Sequence, residues 1–140
     1  MTPLKDCINY LLTGAQHTVF QMMKKELKIY DLTPIQYGVL KCIWEYDLHN
    51  PKEIAEQLMI ENSTISGILE RMEAKQFIRR EIDDNDRRYI HIYLTETGEK
   101  LEEPVNEIVD RVNQVVLHNR FTEEEVAQLG DHLRMMAGIE

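Results

Sequence analysis

The most distinctive chemistry in this sequence lies in the stretch DDNDRRYIHIYLT, residues 83–95. Five of its first six residues are charged, and a polar–apolar alternation follows, which predicts a half-buried strand. Arg87 and Arg88 at the tip of such a strand could reach phosphate or a narrow minor groove. Asp86 could hold a neighbouring guanidinium through paired hydrogen bonds. A solubilising polar turn is the alternative, and it explains the DDND segment but not the two adjacent arginines.

A second set of candidate residues lies on one face of a helix predicted over residues 62–75. Ile65, Ile68, Leu69 and Met72 recur at helical spacing and form its apolar face. The other positions are mostly small or hydrogen-bonding: Asn62, Ser63, Thr64, Ser66, Gly67, Glu70 and Arg71. Small residues permit close approach to DNA, and hydroxyl and guanidinium groups reach base edges or phosphates. A plain solvated face is the alternative, and Glu70 suits only a base donor such as the cytosine amino group.

The rest of the chain predicts the elements that position these residues. Helices are expected over residues 4–27, 33–46, 51–58, 62–75, 96–119 and 122–138, with strands over 77–82 and 89–94. Capping boxes begin at Thr33 and Thr122, and Pro104 should kink the helix that contains it. The fold class is therefore mainly α with a small β-hairpin wing. A winged helix-turn-helix over 33–95 lies between helical segments 1–30 and 96–140, which form a separate layer.

Composition is consistent with a single subunit spanning residues 1–140. The N-terminus does not have the layout of a signal peptide, and no apolar run reaches the roughly 20 residues that span a bilayer. These features predict a cytoplasmic protein without a membrane partner. The net charge of −9 argues against nucleic acid as a partner. Residues 92–140, however, carry four basic and eleven acidic groups, whereas residues 71–91 carry six basic and five acidic groups.

At these residues the sequence resembles the MarR family of winged helix-turn-helix transcriptional regulators. The family's wing pattern stands here as Asp86-Arg87-Arg88 followed by LTETGEKL, residues 94–101. The segments LTPIQYGVL (32–40) and IAEQLMIENSTISGILERMEAKQFIRR (54–80) resemble its second helix and its recognition-helix region. Gln76 departs from the glycine that usually ends the recognition helix, and Pro104 is a second irregularity that bears on dimer geometry.

The resemblance implies a homodimer that binds pseudo-palindromic double-stranded promoter DNA, as a ligand-responsive regulator and by expectation a repressor. It implies that the helical segments 1–30 and 96–140 form the dimerisation layer. It implies that Arg88 enters the minor groove while Asp86 orients it. It also implies an effector, a phenolic or other aromatic anion, bound between the dimer layer and the winged part. Four residues are candidates for that effector site, although each has the alternative of being simply core: Tyr10, His17, Tyr37 and Trp44.

Three other interpretations compete with a DNA-binding regulator. Some relatives sense hydroperoxides through a cysteine in the first helix, where Cys7 lies, which would make the chain a redox sensor. A winged-helix module that binds protein and not DNA would suit the overall acidity. An enzyme is not expected, because no catalytic triad, phosphate-binding loop or metal motif is present. The five histidines are scattered, so no metal or other cofactor is predicted.

Overall fold

A computed structural model describes all 140 residues, which form seven α-helices and one antiparallel hairpin. The helices are α1 (Ile8–Leu27), α2 (Pro34–Tyr46), α3 (Pro51–Gln57), α4 (Asn62–Ala74), α5 (Glu96–Lys100), α6 (Glu102–Asn113) and α7 (Glu123–Ala137). The strands are β1 (Ile78–Ile82) and β2 (Ile90–Leu94). The predicted fold class, mainly α with a hairpin wing, is confirmed. None of the helices combines the length and apolarity needed to cross a membrane.

The predicted helix starts are present with their capping hydrogen bonds. The Thr33 hydroxyl accepts from the Gln36 N–H, and the Gln36 side chain accepts from the Thr33 N–H, each at 3.2 Å. The same reciprocal pair begins α7 at Thr122 and Glu125. Asn50 caps α3 through its side-chain oxygen. Each cap satisfies backbone donors that a helix N-terminus leaves without partners, so local sequence alone places these boundaries.

Two helices that were predicted as continuous are interrupted. The helix expected over 4–27 is a 3₁₀ turn at Leu4–Asp6 followed by α1, because Cys7 between them has an extended backbone. The helix expected over 96–119 consists of α5, α6 and a π-helical turn at Gln114–His118. The break between α5 and α6 fits the expected effect of Pro104, whose ring crowds the carbonyl of Lys100, the last residue of α5.

The second strand is less buried than its alternation predicted. Only Ile92 of β2 is fully buried, whereas Ile90 is exposed. The hairpin is only two strands wide, so the end that carries Ile90 lacks neighbouring elements that would bury it. Ile92 differs because its N–H donates to the His49 carbonyl at 2.8 Å, which brings the loop after α2 alongside β2.

The chain divides into two compact units. One, the winged unit, is residues 24–106, and it contains the predicted winged segment 33–95. The other, the helical unit, is residues 1–23 and 107–140. The assignment of the outer segments to dimerisation remains a prediction.

In the winged unit, the apolar face of α4 is buried as predicted. Ile65, Ile68, Leu69 and Met72 are all at most 3% exposed, and α4 packs against α3 and β1. Strand β1 pairs with β2 in a register that runs from Ile78↔Leu94 to Ile82↔Ile90. This burial fixes the rotation of α4, so its small and polar residues face away from the core.

The carbonyl of Phe77 joins the end of α4, the wing and the start of α5. The Thr95 N–H and hydroxyl donate to it at 3.1 and 3.0 Å, and the hydroxyl also lies 2.6 Å from the Gln76 carbonyl. A β-carbon on Gly98 would collide with the same Phe77 oxygen. The Trp44 indole N–H donates to the Gly98 carbonyl at 3.1 Å, which adds α2 to this junction.

Helix α4 ends at a left-handed residue that is not glycine. Gln76 has a φ of 64°, and its N–H donates to the Glu73 carbonyl at 2.9 Å. The Phe77 N–H donates to the Met72 carbonyl at 3.1 Å, which completes a Schellman ending. The departure from glycine therefore leaves the helix exit intact. A side chain in this backbone region costs roughly 1–2 kcal/mol relative to a right-handed conformation.

We expect Gln76→Gly to raise the free energy of unfolding by about 1 kcal/mol, because glycine adopts the left-handed conformation without that cost. Urea denaturation followed by circular dichroism measures the change. The control is Ala74→Gly, two residues earlier within the helix, which should lower stability by about 1 kcal/mol. A loss of stability in both variants would contradict the strain at Gln76.

Candidate nucleic-acid interface

The wing tip holds one arginine in a fixed fork. The Nε of Arg88 donates to Oδ1 of Asp86 at 3.0 Å, and Nη2 donates to Oδ2 at 2.8 Å. The Arg88 backbone N–H donates to the same Oδ1 at 3.0 Å. These hydrogen bonds lower the pKa of Asp86 and raise that of Arg88. The Arg88 side chain is 85% exposed despite the pairing, so its guanidinium is both held and accessible.

Asp83 organises the loop that carries this fork. Its Oδ1 accepts from the backbone N–H groups of Asn85 and Asp86 at 2.8 and 3.0 Å. Its Oδ2 lies 2.8 Å from Nε2 of His91 on β2. The hydrogen bond from His91, followed by those from the two backbone groups, lowers the pKa of Asp83. The loop is thus a defined turn built on one carboxylate.

Arg87 and Asp84 differ from their neighbours. Both are exposed, and neither side chain makes a hydrogen bond or ion pair within the chain. The two adjacent arginines are therefore not equivalent: Arg88 is oriented by Asp86, whereas Arg87 is free to adopt many rotamers. Of the two acidic residues that begin the loop, Asp83 accepts hydrogen bonds from its backbone, whereas Asp84 accepts none.

The outer face of α4 is as polar and open as the sequence predicted. Six of the seven candidates are exposed: Asn62, Ser63, Thr64, Ser66, Glu70 and Arg71. Gly67 is half-buried because the guanidinium of Arg71 extends along it, with Nη1 3.4 Å from the position of a glycine β-carbon. The hydroxyls of Ser63, Thr64 and Ser66 have no hydrogen-bond partner in the chain, so they are available to a ligand.

An ion pair that sequence analysis missed connects α4 to the wing. The Glu73 carboxylate accepts from the Arg80 backbone N–H at 2.9 Å and from its Nε and Nη2 at 3.1 and 2.9 Å. Side-chain and backbone hydrogen bonds from Arg80 lower the pKa of Glu73. The pair joins a helix to a strand, so no helical or strand spacing could have indicated it. It fixes the direction of β1 relative to α4.

Comparisons with known proteins match this geometry. The MarR family model matches residues 32–90. The transcriptional regulator MgrA of Staphylococcus aureus is 30% identical over 127 residues, which cover 90% of this chain and 84% of the relative. The chain belongs to the MarR family. Family membership agrees with the resemblance of the wing and helix motifs, and the residues that the family model matches include α2, α3, α4 and β1.

Two solved structures are similar along nearly the whole chain. The S. aureus MepR–DNA complex has a TM-score of 0.84 and 30% identity, and covers 94% of this chain and 96% of that chain. CouR of Rhodococcus jostii RHA1 bound to p-coumaroyl-CoA has a TM-score of 0.82 and 26% identity, and covers 98% and 96%. Two proteins solved with these ligands therefore share the fold of this chain.

The predicted effector residues of this MarR-family chain lie in different units. Tyr10 and His17 are exposed residues of the helical unit. Tyr37 and Trp44 are half-buried residues of α2 in the winged unit. Trp44 has a structural role, since its indole N–H donates to Gly98. A shared effector site for these four residues remains a prediction.

Neither cysteine forms a disulfide, and no group of three or more potential metal ligands lies close together. Cys7 is half-buried and Cys42 is buried. Burial, and secondarily the charge of Glu45, raise the pKa of Cys42, which keeps that thiol protonated near neutral pH. A redox role for Cys7 remains a prediction.

We expect Asp83 and Asp86 to titrate below the ordinary aspartate pKa of about 3.9, since both carboxylates are stabilised in the charged form. A lowered pKa means that the loop order they provide is complete at neutral pH and is lost as pH falls through the folded-state values. Carboxyl carbon chemical shifts measured against pH report each group.

Arg88→Ala is the control for this assignment. It should move the Asp86 midpoint upward and leave the Asp83 midpoint low, because His91 and backbone groups stabilise Asp83. An Asp86 midpoint that Arg88→Ala does not change would contradict the fork.

Proposed function

We propose that the chain is a ligand-responsive transcriptional regulator that binds pseudo-palindromic promoter DNA as a homodimer. The observation that carries the proposal is the exposed Arg88 guanidinium, held by Asp86 on the same unit as the open polar face of α4. A helix with small and hydroxyl side chains suits the major groove, and an oriented arginine on a wing suits the adjacent minor groove. MepR, which shares this fold, is solved with DNA.

The Asp86–Arg88 fork explains why an acidic residue belongs at a surface for a polyanion. A long arginine side chain loses rotamer entropy when DNA immobilises it. In this structure the side chain is already ordered by two hydrogen bonds to one carboxylate. The Glu73–Arg80 pair joins two elements of the interface, and it sets the separation of α4 and the wing before DNA binds.

The remaining candidate DNA-binding residues can be grouped by the part of DNA that each can contact. Ser63, Thr64, Ser66 and Arg71 provide donors toward base edges or phosphates, and Asn62 lies at the start of α4. Gly67 permits close approach of the helix backbone. Glu70 accepts only from a base donor, so it favours cytosine at its position. Arg87 provides a phosphate contact without sequence preference.

The second copy of the homodimer would bind the apolar surface of the helical unit. Leu4, Ile8, Leu11 and Leu12 are between 38% and 65% exposed, and Leu129, Leu133 and Met136 of α7 are also exposed. Monomeric proteins rarely leave contiguous apolar surface of this kind in water. A symmetric dimer would bury it and present two wings to two half-sites.

Asp86→Ala tests the role of the fork in DNA binding through the sign of its effect. Removing a negative charge near phosphate should strengthen binding if only net charge matters, whereas loss of the fork should weaken it. We expect weaker binding to a cognate duplex, found by selection from a random pool, with fluorescence anisotropy as the measurement. Arg88→Ala should weaken it roughly 5- to 150-fold, the range for a specific contact.

Arg87→Ala is the matched control, since it removes an identical side chain that has no fork. It should weaken binding to all duplexes alike. The slope of log affinity against log salt concentration should become shallower by about one per wing, which corresponds to one lost phosphate contact. Tighter binding by folded, dimeric Asp86→Ala would refute the orienting role of Asp86. Binding with no salt dependence in the unmodified protein would favour a protein-interaction module instead.

Light scattering at micromolar concentration should give about twice the 16.6 kDa chain mass. Leu133→Glu, which places a charge in the exposed apolar face of α7, should shift the mass toward one chain. His132→Glu is the control beside it, a charge change at an exposed polar position outside the groove that Leu133 lines. A monomer for the unmodified chain would contradict the dimeric proposal.

A further inference from the structure

A cleft of 480 Å³ lies within the winged unit, between the wing, α2 and the α5–α6 junction. Trp44, Tyr93 and His49 contribute aromatic rings to its walls. The His49 and Tyr93 ring centroids are 5.1 Å apart. Its volume suits a small organic molecule. Of the four predicted effector residues, only Trp44 lines it.

The positive groups in this cleft already have partners inside the chain. Arg79 donates from Nε to Glu81 at 3.0 Å and from Nη1 to the Leu94 carbonyl at 3.3 Å, and its guanidinium carbon is 5.0 Å from the Tyr93 ring centroid. Both ring nitrogens of His49 are also engaged, one by the Ile92 carbonyl at 2.6 Å and the other by Asp47 at 2.8 Å. His49 has no free ring nitrogen, and the Arg79 guanidinium, although its side chain is 55% exposed, already pairs with a carboxylate and a carbonyl.

Of the three carboxylates that line the cleft, Asp47 pairs with His49, whereas the other two have no partner. Glu99 and Glu102 line the cleft three residues apart, and neither carboxylate makes an ion pair or side-chain hydrogen bond in the chain. Nearby acids such as Glu96 and Glu45 do have lysine partners. The cleft therefore combines aromatic walls with two exposed carboxylates that have no positive partner in the chain.

We propose that this cleft binds a small aromatic organic cation of the amidinium or substituted-ammonium class, held between the Trp44 ring and the Glu99 and Glu102 carboxylates. An aromatic wall attracts a cation through the negative face of its π system, and a carboxylate pairs with its charge. An anionic effector would meet two carboxylates without partners, and the one arginine in the cleft already pairs with Glu81. The binding claim does not depend on DNA binding, whereas its role as an effector site rests on the proposed function.

The chain contains one tryptophan, and it lines the cleft, so its fluorescence reports occupancy directly. We expect benzamidinium to change Trp44 fluorescence saturably in the full-length protein without DNA. Benzamide, which has nearly the same shape and no charge, should bind at least about fivefold more weakly, and benzoate more weakly still. Equal responses to benzamidinium and benzoate would overturn the proposal without any variant being needed.

Variants locate the charge that selects the cation. The double substitution Glu99→Gln and Glu102→Gln should weaken benzamidinium binding roughly five- to tenfold and leave benzamide binding unchanged. Glu103→Gln with Glu107→Gln changes the net charge equally on exposed acids outside the cleft, and should have no effect. Equal weakening by both pairs would show a general charge effect and refute the site.

The effector role has a separate test. The wing contributes Arg79, Tyr93 and Leu94 to the cleft, so occupancy should be coupled to DNA binding. Saturating benzamidinium should change duplex affinity at least about threefold relative to the same concentration of sodium chloride, and saturating duplex should change benzamidinium affinity by the same factor. Cation binding without this coupling would refute the effector role alone. Failure of the duplex to bind would refute the proposed function and leave the cleft result standing.

Discussion

The winged unit depends on the contact between Gly98 and the carbonyl oxygen of Phe77. That oxygen follows the left-handed exit of α4, begins the wing, and accepts two hydrogen bonds from Thr95. The start of α5 can lie against it only because residue 98 has no side chain. The Gly98 carbonyl then receives the Trp44 indole. One close approach between two backbones thus fixes four elements, and the LTETG segment is a packing requirement as much as a family motif.

Most of the fold could be predicted from sequence because its determinants are local. Capping boxes at Thr33 and Thr122 and the spacing of Ile65, Ile68, Leu69 and Met72 define helix starts and the buried face of α4. The effect of Pro104 was also foreseen. The π-helical turn at residues 114–118 was not, because its wider hydrogen bonding leaves no distinct spacing in five residues.

The candidate site also contains some features that the sequence could predict and others that it could not. The Asp86–Arg88 fork spans two residues, so adjacency in sequence was enough to predict its geometry. The Glu73–Arg80 pair and the bond from Trp44 to Gly98 join residues 7 and 54 positions apart, and both required the three-dimensional arrangement. The cleft could not be foreseen at all, because its character depends on which charges have partners. A sequence records Arg79 and Glu99 as charges of equal standing, whereas the structure shows the first paired and the second free.

The location of the single tryptophan has a consequence for how folding of this chain can be observed. Trp44 belongs to the winged unit, and the helical unit has no tryptophan. Fluorescence during denaturation therefore follows one unit, while the helical circular dichroism signal follows both. Coincident transitions are expected if the two units unfold as one cooperative block, whereas separated transitions would mean that each unit unfolds independently. The chain thus carries an internal probe of its own folding cooperativity without an added label.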